Sequence, residues 1–168
     1  PLSNAAIAQT NPDSSNTLQE AQDQTTIPST NELAPESGLE SPQSTLRTFL
    51  TGMTQEQNVG SGIDQAINSI DFPQGFLQST QVVTANELYQ FLNRLEYIDY
   101  SDHPAQSSAP SETYTVYPNT TRSLKHLAWS KKYPGARVTM SVDEQGSWRF
   151  SRETAETIHA LWIATEDE

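Results

Sequence analysis

The chain has 168 residues, a formal net charge of -12, 34% hydrophobic residues and no cysteine. That length suits one ordinary domain with an additional segment. Without cysteine there is no disulfide framework and no thiolate metal site, and so acidic a chain repels a phosphate backbone, which argues against nucleic-acid binding.

Residues 1–40 hold six acids and no Lys or Arg, among many Gln, Asn, Ser, Thr and Pro. Such a stretch buries too little apolar surface to offset its ordering entropy and reads as a disordered arm. Within it Ala6 and Ala8 precede Gln9 at the spacing a signal peptidase prefers. Two readings stay open: the remnant of an export signal at residues 6–9, or coincidence in an Ala-containing tail. A first residue other than Met reads as a processed or excised product. The export reading places the protein on the periplasmic or extracytoplasmic face of a bacterial membrane. No run of 18 apolar residues occurs, so this stretch of sequence holds no spanning helix.

The composition shifts at Ser41. Ser41 is a cap-type residue, Pro42 follows at the first helical position, and Leu46, Phe49, Leu50 and Met53 form one apolar stripe. The polar run 54–62 then reads as a loop, with Gly60 and Gly62 as flexible punctuation. Ile63, Ala66, Ile67 and Ile70 make a second stripe, stopped by Pro73. A third helix is predicted from a capping box of Thr84 and Glu87, with Val83 and Leu88 as staple and Leu88, Phe91, Leu92 and Leu95 as stripe.

The period changes after residue 111. Residues 112–117 are rich in aromatic and β-branched residues; Val138, Met140 and Val142 alternate; Trp148 and Phe150 alternate after a turn at 143–147. Ser151 then caps a closing helix on which Ala155, Ile158, His159 and Trp162 share a face. The prediction is a single α+β domain over residues 41–165. It is a small bundle of three to five helices on a short antiparallel sheet, with a closing C-terminal helix.

Chemistry-bearing patterns are sparse. Glu156 and His159 give one Glu-x-x-His, where a di-metal carboxylate site needs two such pairs and two further glutamates. The stretch Asp99, Tyr100, Asp102 lacks the spacing of a calcium loop and reads as a solvated turn. No nucleophile elbow or Ser/His/Asp set emerges. Residues 59–64 lack the strand and the Lys of a phosphate loop, and Asn119-Thr120-Thr121 matches a glycosylation sequon. No cofactor and no metal is expected, and the chain reads as a non-enzyme. The weakest alternative is a small hydrolase using Glu87, Glu96 and Asp99.

One stretch departs from the acidic background. Residues 121–137 hold five of the nine basic residues, Arg122, Lys125, Lys131, Lys132 and Arg137, with no acid among them and with Trp129 and Tyr133 interleaved. Lys beside Trp and Tyr suits a lipid-headgroup interface or a partner contact. A solvated loop or short helix between two strands is the other reading.

The opening and closing segments carry a likeness. Ser41, Pro42, Thr45 and Phe49 match a Ser-Pro-x-x-Thr-x-x-x-Phe-like opening helix. Gly146, Trp148, Phe150, Ser151 and Thr154 match a Gly-x-Trp-x-Phe-Ser-x-x-Thr-like closing segment. Residues 41–162 thus resemble, in pieces, the extracytoplasmic N-terminal domain of some bacterial small-conductance mechanosensitive ion channel proteins. The resemblance implies a non-enzymatic domain outside the membrane, attached to transmembrane segments beyond these residues and homo-oligomeric in the full protein. Its work would be assembly, sensing or modulation of gating. Pore and gating residues lie outside the matched segments, so none carries over. A free-standing periplasmic binding or adaptor protein is the alternative.

Overall fold

The computed structural model describes residues 36–95, 98–105, 113–119 and 123–166. The predicted arm, up to residue 35, lies outside them. Among the described residues the elements are α1 (Pro42–Val59), α2 (Ile63–Asn68), α3 (Gln78–Arg94), a 3-10 turn (Tyr100–Asp102), β1 (Thr113–Tyr117), α4 (Leu124–Lys132), β2 (Val138–Val142), β3 (Trp148–Phe150) and α5 (Arg152–Ala164). The strands form one antiparallel sheet in the order β1-β2-β3. The α+β class and the closing helix are as predicted.

Helix α1 begins where its cap chemistry dictates. The Ser44 amide donates to Ser41 Oγ at 3.1 Å and the Ser41 amide to Ser44 Oγ at 2.9 Å, a reciprocal box with Ser in the place of the usual Glu. Its C-terminal end was expected soon after Met53, yet the helix runs to Val59 and stops at Gly60 in the left-handed region, φ 67°. The apolar stripe ends at Met53, but Thr, Gln and Glu propagate a helix and no Gly or Pro intervenes. Two glycines then set the α1–α2 crossing. A Cβ on Gly52 would lie 2.8 Å from the Gly62 carbonyl oxygen, and Gly62 has φ +119°. Gly62 is therefore fixed by close backbone approach, not flexible punctuation.

Helix α3 starts at Gln78, six residues before the predicted cap at Thr84. Thr84 and Glu87 lie buried inside the helix, so their capping box does not form. Residues 78–83 contain no breaker, and the helix extends back to Leu77, which caps it without a side-chain bond. The stripe Leu88, Phe91, Leu92 and Leu95 is buried as predicted.

The core lies where the α1 and α3 stripes meet the sheet and α5. Leu46, Phe49, Met53, Phe91, Met140, Phe150 and Ile158 are all buried. Phe49 meets Phe150 edge to face at 5.1 Å, and Phe91 meets Tyr117 at 5.3 Å. In the sheet Met140 pairs with Phe150 and Val142 with Trp148. The Phe150 amide donates to Ser69 O and the Asp71 amide to Phe150 O, both at 2.8 Å, so Ile70 continues the sheet beyond β3 as a single bridge. On α5 the buried stripe includes Ala155, Ile158 and Leu161; of the predicted face, Ala155 and Ile158 are buried, while Trp162 is half-buried and His159 exposed.

The packed unit reaches back beyond the composition shift at Ser41. Leu39 is buried, and its carbonyl accepts from the Trp148 amide at 2.7 Å. The Glu36 carboxylate pairs with Arg149 at 2.8 Å and accepts from the Asn68 amide group, also at 2.8 Å. The Asn68 bond first, then the Arg149 charge, hold this carboxyl below its usual range.

Candidate functional site

The basic segment folds as α4 and the turn after it. Ser123 caps α4, its Oγ accepting from the His126 amide at 3.2 Å. A helix separates the aromatic residues from most of the charges. Trp129 turns inward, 6% exposed, with its ring 6.1 Å from Phe91. It cannot meet headgroups, contrary to expectation, because a large apolar ring on the inner face of a core helix is worth more buried. Lys125 follows it: its ammonium donates to Arg94 O and lies 5.0 Å over the Trp129 ring. Tyr133 is half-buried and donates its hydroxyl to Ala164 O at 2.6 Å, tying the end of α4 to the end of α5.

What faces outward is a different set. Leu124, Ala128, Lys131 and Lys132 are exposed and recur at helical spacing on one side of α4, and Arg137 is exposed beyond the turn. Leu124 is 83% exposed. Lys132 lies 5.4 Å from the Tyr133 ring. Arg122 lies outside the described residues.

A cavity of about 90 Å³ opens between the end of α3, the 3-10 turn, β1 and the start of α4. Its floor is Leu92, Leu95, Ile98 and Val116, and its rim includes Asp99, Asp102, His103 and His126. Asp99, His103 and His126 have structural duties. Asp99 Oδ1 accepts from the Ser101 amide at 2.9 Å and hydroxyl at 2.7 Å. His126 Nδ1 accepts from the Asn119 amide at 2.8 Å, which places the proton of the neutral ring on Nε2. His103 Nδ1 is hydrogen-bonded to the Tyr114 hydroxyl at 2.9 Å. Tyr100 stacks under Arg47. Among the described residues no group of three metal-ligating side chains converges.

The three carboxylates of the hydrolase alternative are not shown assembled. Glu87 is buried and faces His159 on α5, with Nδ1 donating to Oε1 at 2.7 Å; Asp99 sits at the cavity rim; Glu96 lies outside the described residues. His159 thus takes its carboxylate from α3, across the helix contact, and not from Glu156 on its own helix. Of the sequon, Asn119 gives its amide to His126, and Thr120 and Thr121 lie outside the described residues.

Besides the Glu87–His159 pair, two features were not predicted. The first is a buried hydroxyl cluster at the start of α5. Thr139 and Ser151 hydroxyls lie 2.6 Å apart, Thr154 Oγ1 accepts from the Thr139 amide at 2.9 Å, and Ser151 Oγ accepts from the Thr154 amide at 3.2 Å. Imidazole and carboxylate take no part in these bonds, so Ser151 is held as a cap and not activated as a nucleophile. Thr139, between inward-facing Val138 and Met140, was the available signal. The second is the Tyr117 hydroxyl, buried without a hydrogen-bond partner among the described residues. Burial raises its pKa above the usual phenol value of 10.0.

Among the described residues no helix is long and apolar enough to cross a membrane. Comparison with protein-family models, with curated proteins and with solved structures finds no match to this chain.

Proposed function

We propose that the chain is a non-enzymatic extracytoplasmic domain of a bacterial mechanosensitive-channel-like membrane protein, acting in assembly, sensing or modulation of gating. The supporting observation is the meeting of the two segments that carry the resemblance. Thr45 of the opening helix bonds to Trp148 of the closing strand at 2.8 Å, and Phe49 packs on Phe150 at 5.1 Å. Ser41, Ser151 and Thr154 complete the set as caps and cap support. Each matched residue with a hydroxyl or an aromatic ring has a folding duty, which leaves the surface as the working part. The test is the reading frame beyond Glu168. Several apolar segments of spanning length are expected there; a stop codon at that point overturns the reading.

The second reading, a free-standing periplasmic binding or adaptor protein, has less support, because the cavity of about 90 Å³ is well below the roughly 300–1,000 Å³ of a small-molecule site. It requires the stop codon that the first reading forbids, together with saturable capture of a small molecule by the purified chain.

A further inference from the structure

We propose that the outer face of α4, with Leu124 at its start and Lys131 and Lys132 at its end, together with the exposed Arg137 beyond the turn, docks on anionic lipid headgroups. This deepens the extracytoplasmic-domain reading and rests on it for the nearness of a membrane. Residues 121–137 carry five of the nine basic residues and no acid, in a chain of net charge -12. Folding accounts for part of that segment: Trp129 joins the core and Lys125 is engaged by Arg94 O. The side left outward is exposed: the apolar tip of Leu124 is 83% exposed one turn from Ala128 and two turns from Lys131 and Lys132.

An apolar tip beside cations matches the headgroup boundary, where ammonium and guanidinium groups meet phosphates and a leucine reaches the acyl region. A nucleic-acid backbone would satisfy the cations and leave the leucine in water. Glu153 lines the same surface pocket as Arg137 and opposes approach there, while acids more than a Debye length away, about 8 Å at physiological salt, are largely screened. Each cation held at an anionic bilayer favours binding about fivefold, so three give on the order of 100-fold. That is weak for a free domain and sufficient for one tethered beside the bilayer, where effective concentration is high.

The test is sedimentation of the 168-residue chain with phosphatidylcholine vesicles, with and without phosphatidylglycerol, at low and high salt. Binding is expected only with phosphatidylglycerol and is lost at high salt. The triple variant K131Q/K132Q/R137Q should lower the partition coefficient on the order of 100-fold. L124S should lower it severalfold, and L124W should give a blue-shifted emission only with the anionic vesicles. All four positions are exposed, so unchanged circular dichroism confirms that the variants fold. Equal binding to neutral vesicles, no binding, or binding indifferent to the triple substitution overturns the proposal. Self-association abolished by the triple variant, without vesicle binding, also overturns it and makes the face a contact between copies. Failure here leaves the reading-frame test untouched, and a stop codon after Glu168 leaves a positive vesicle result standing.

Discussion

The Thr45 hydroxyl donates to the Trp148 carbonyl at 2.8 Å, fully buried and across 103 positions of the chain. With the Trp148 amide bonded to Leu39 O at 2.7 Å, both backbone groups of one strand residue are satisfied from the segment that opens the domain. Replacing Thr45 by Val keeps the shape and leaves a buried carbonyl short of its donor. The expected cost is about 1–3 kcal/mol. T45S keeps the bond, loses one methyl group, and should cost about 1 kcal/mol. Urea titrations followed by tryptophan emission measure both, and a T45V chain as stable as the parent would show that the bond itself contributes nothing.

The α1–α2 crossing predicts an ordering among three glycine substitutions. G52A gains helix propensity of about 1 kcal/mol. Its Cβ, however, would meet backbone, 2.8 Å from Gly62 O and 3.0 Å from the Ala66 amide nitrogen. Neither atom is the end of a flexible side chain, so overpacking wins and the net change is a loss of about 1–2 kcal/mol. G62A suffers a contact of 2.5 Å with Gly52 O and an unfavourable φ together, and should lose most. G60A has open space and only its left-handed φ of 67° to resist it, for about 1 kcal/mol. Midpoints of thermal unfolding should therefore fall in the order G60A, G52A, G62A, the last lowest.

How much of this was legible follows from what each signal reports. Caps beside apolar stripes were read correctly at Ser41 and Ser151, since both the hydroxyl and the stripe are local. The false cap at Thr84 shows the limit. Ser/Thr-x-x-Glu marks a helix start only if something stops the helix from extending backwards, and nothing between Gly75 and Thr84 does. Helix α1 was cut short for the mirror reason: an apolar stripe reports burial, while the helix continues until its backbone is broken. In the basic segment, composition could not say which side chains turn inward. Composition counts Trp129 and the lysines together, and only the core's demand for a large ring sends one inward and leaves Leu124 out. The pairing of Glu87 with His159 joins distant parts of the chain and leaves no local trace in one sequence, and the bonding of Thr139, Ser151 and Thr154 leaves only Thr139 between two inward-facing apolar residues.

The contact of α3 with α5 holds a carboxylate whose side chain is 10% exposed against an imidazole that is 65% exposed. Solvent at the imidazole screens the pair, so its own contribution is about 1 kcal/mol or less. Removing the partner is costlier than that figure, because Glu87 then stays in a largely dry site without its donor. H159A should cost about 1–2 kcal/mol. E87Q keeps an acceptor for the ring N–H and should cost less. The double variant H159A/E87M, with an apolar chain of similar length, should recover most of the loss of H159A. Additive losses in this double-mutant cycle would show that the two side chains act independently.

Tyr117 adds to the loss of stability at alkaline pH. Its hydroxyl is buried, without a hydrogen-bond partner among the described residues, and burial raises its folded pKa above 10.0. Below pH 10 the phenol is protonated whether the chain is folded or not, so the group adds no pH dependence. Above pH 10 the unfolded chain releases this proton while the folded chain still holds it. The unfolded state then binds fewer protons, and stability falls with rising pH until the folded pKa is reached. Y117F deletes the titration without deleting a bond, and it relieves an unpaired hydroxyl. At pH 7 the variant should be as stable as the parent or up to about 1 kcal/mol more so. Between pH 10 and pH 11 its unfolding midpoint should decline less steeply than the parent's, the remaining tyrosines and lysines supplying the shared slope. Parallel decline of the two chains would mean that the hydroxyl reaches water or a partner in the folded state. Its pKa would then lie at the ordinary phenol value.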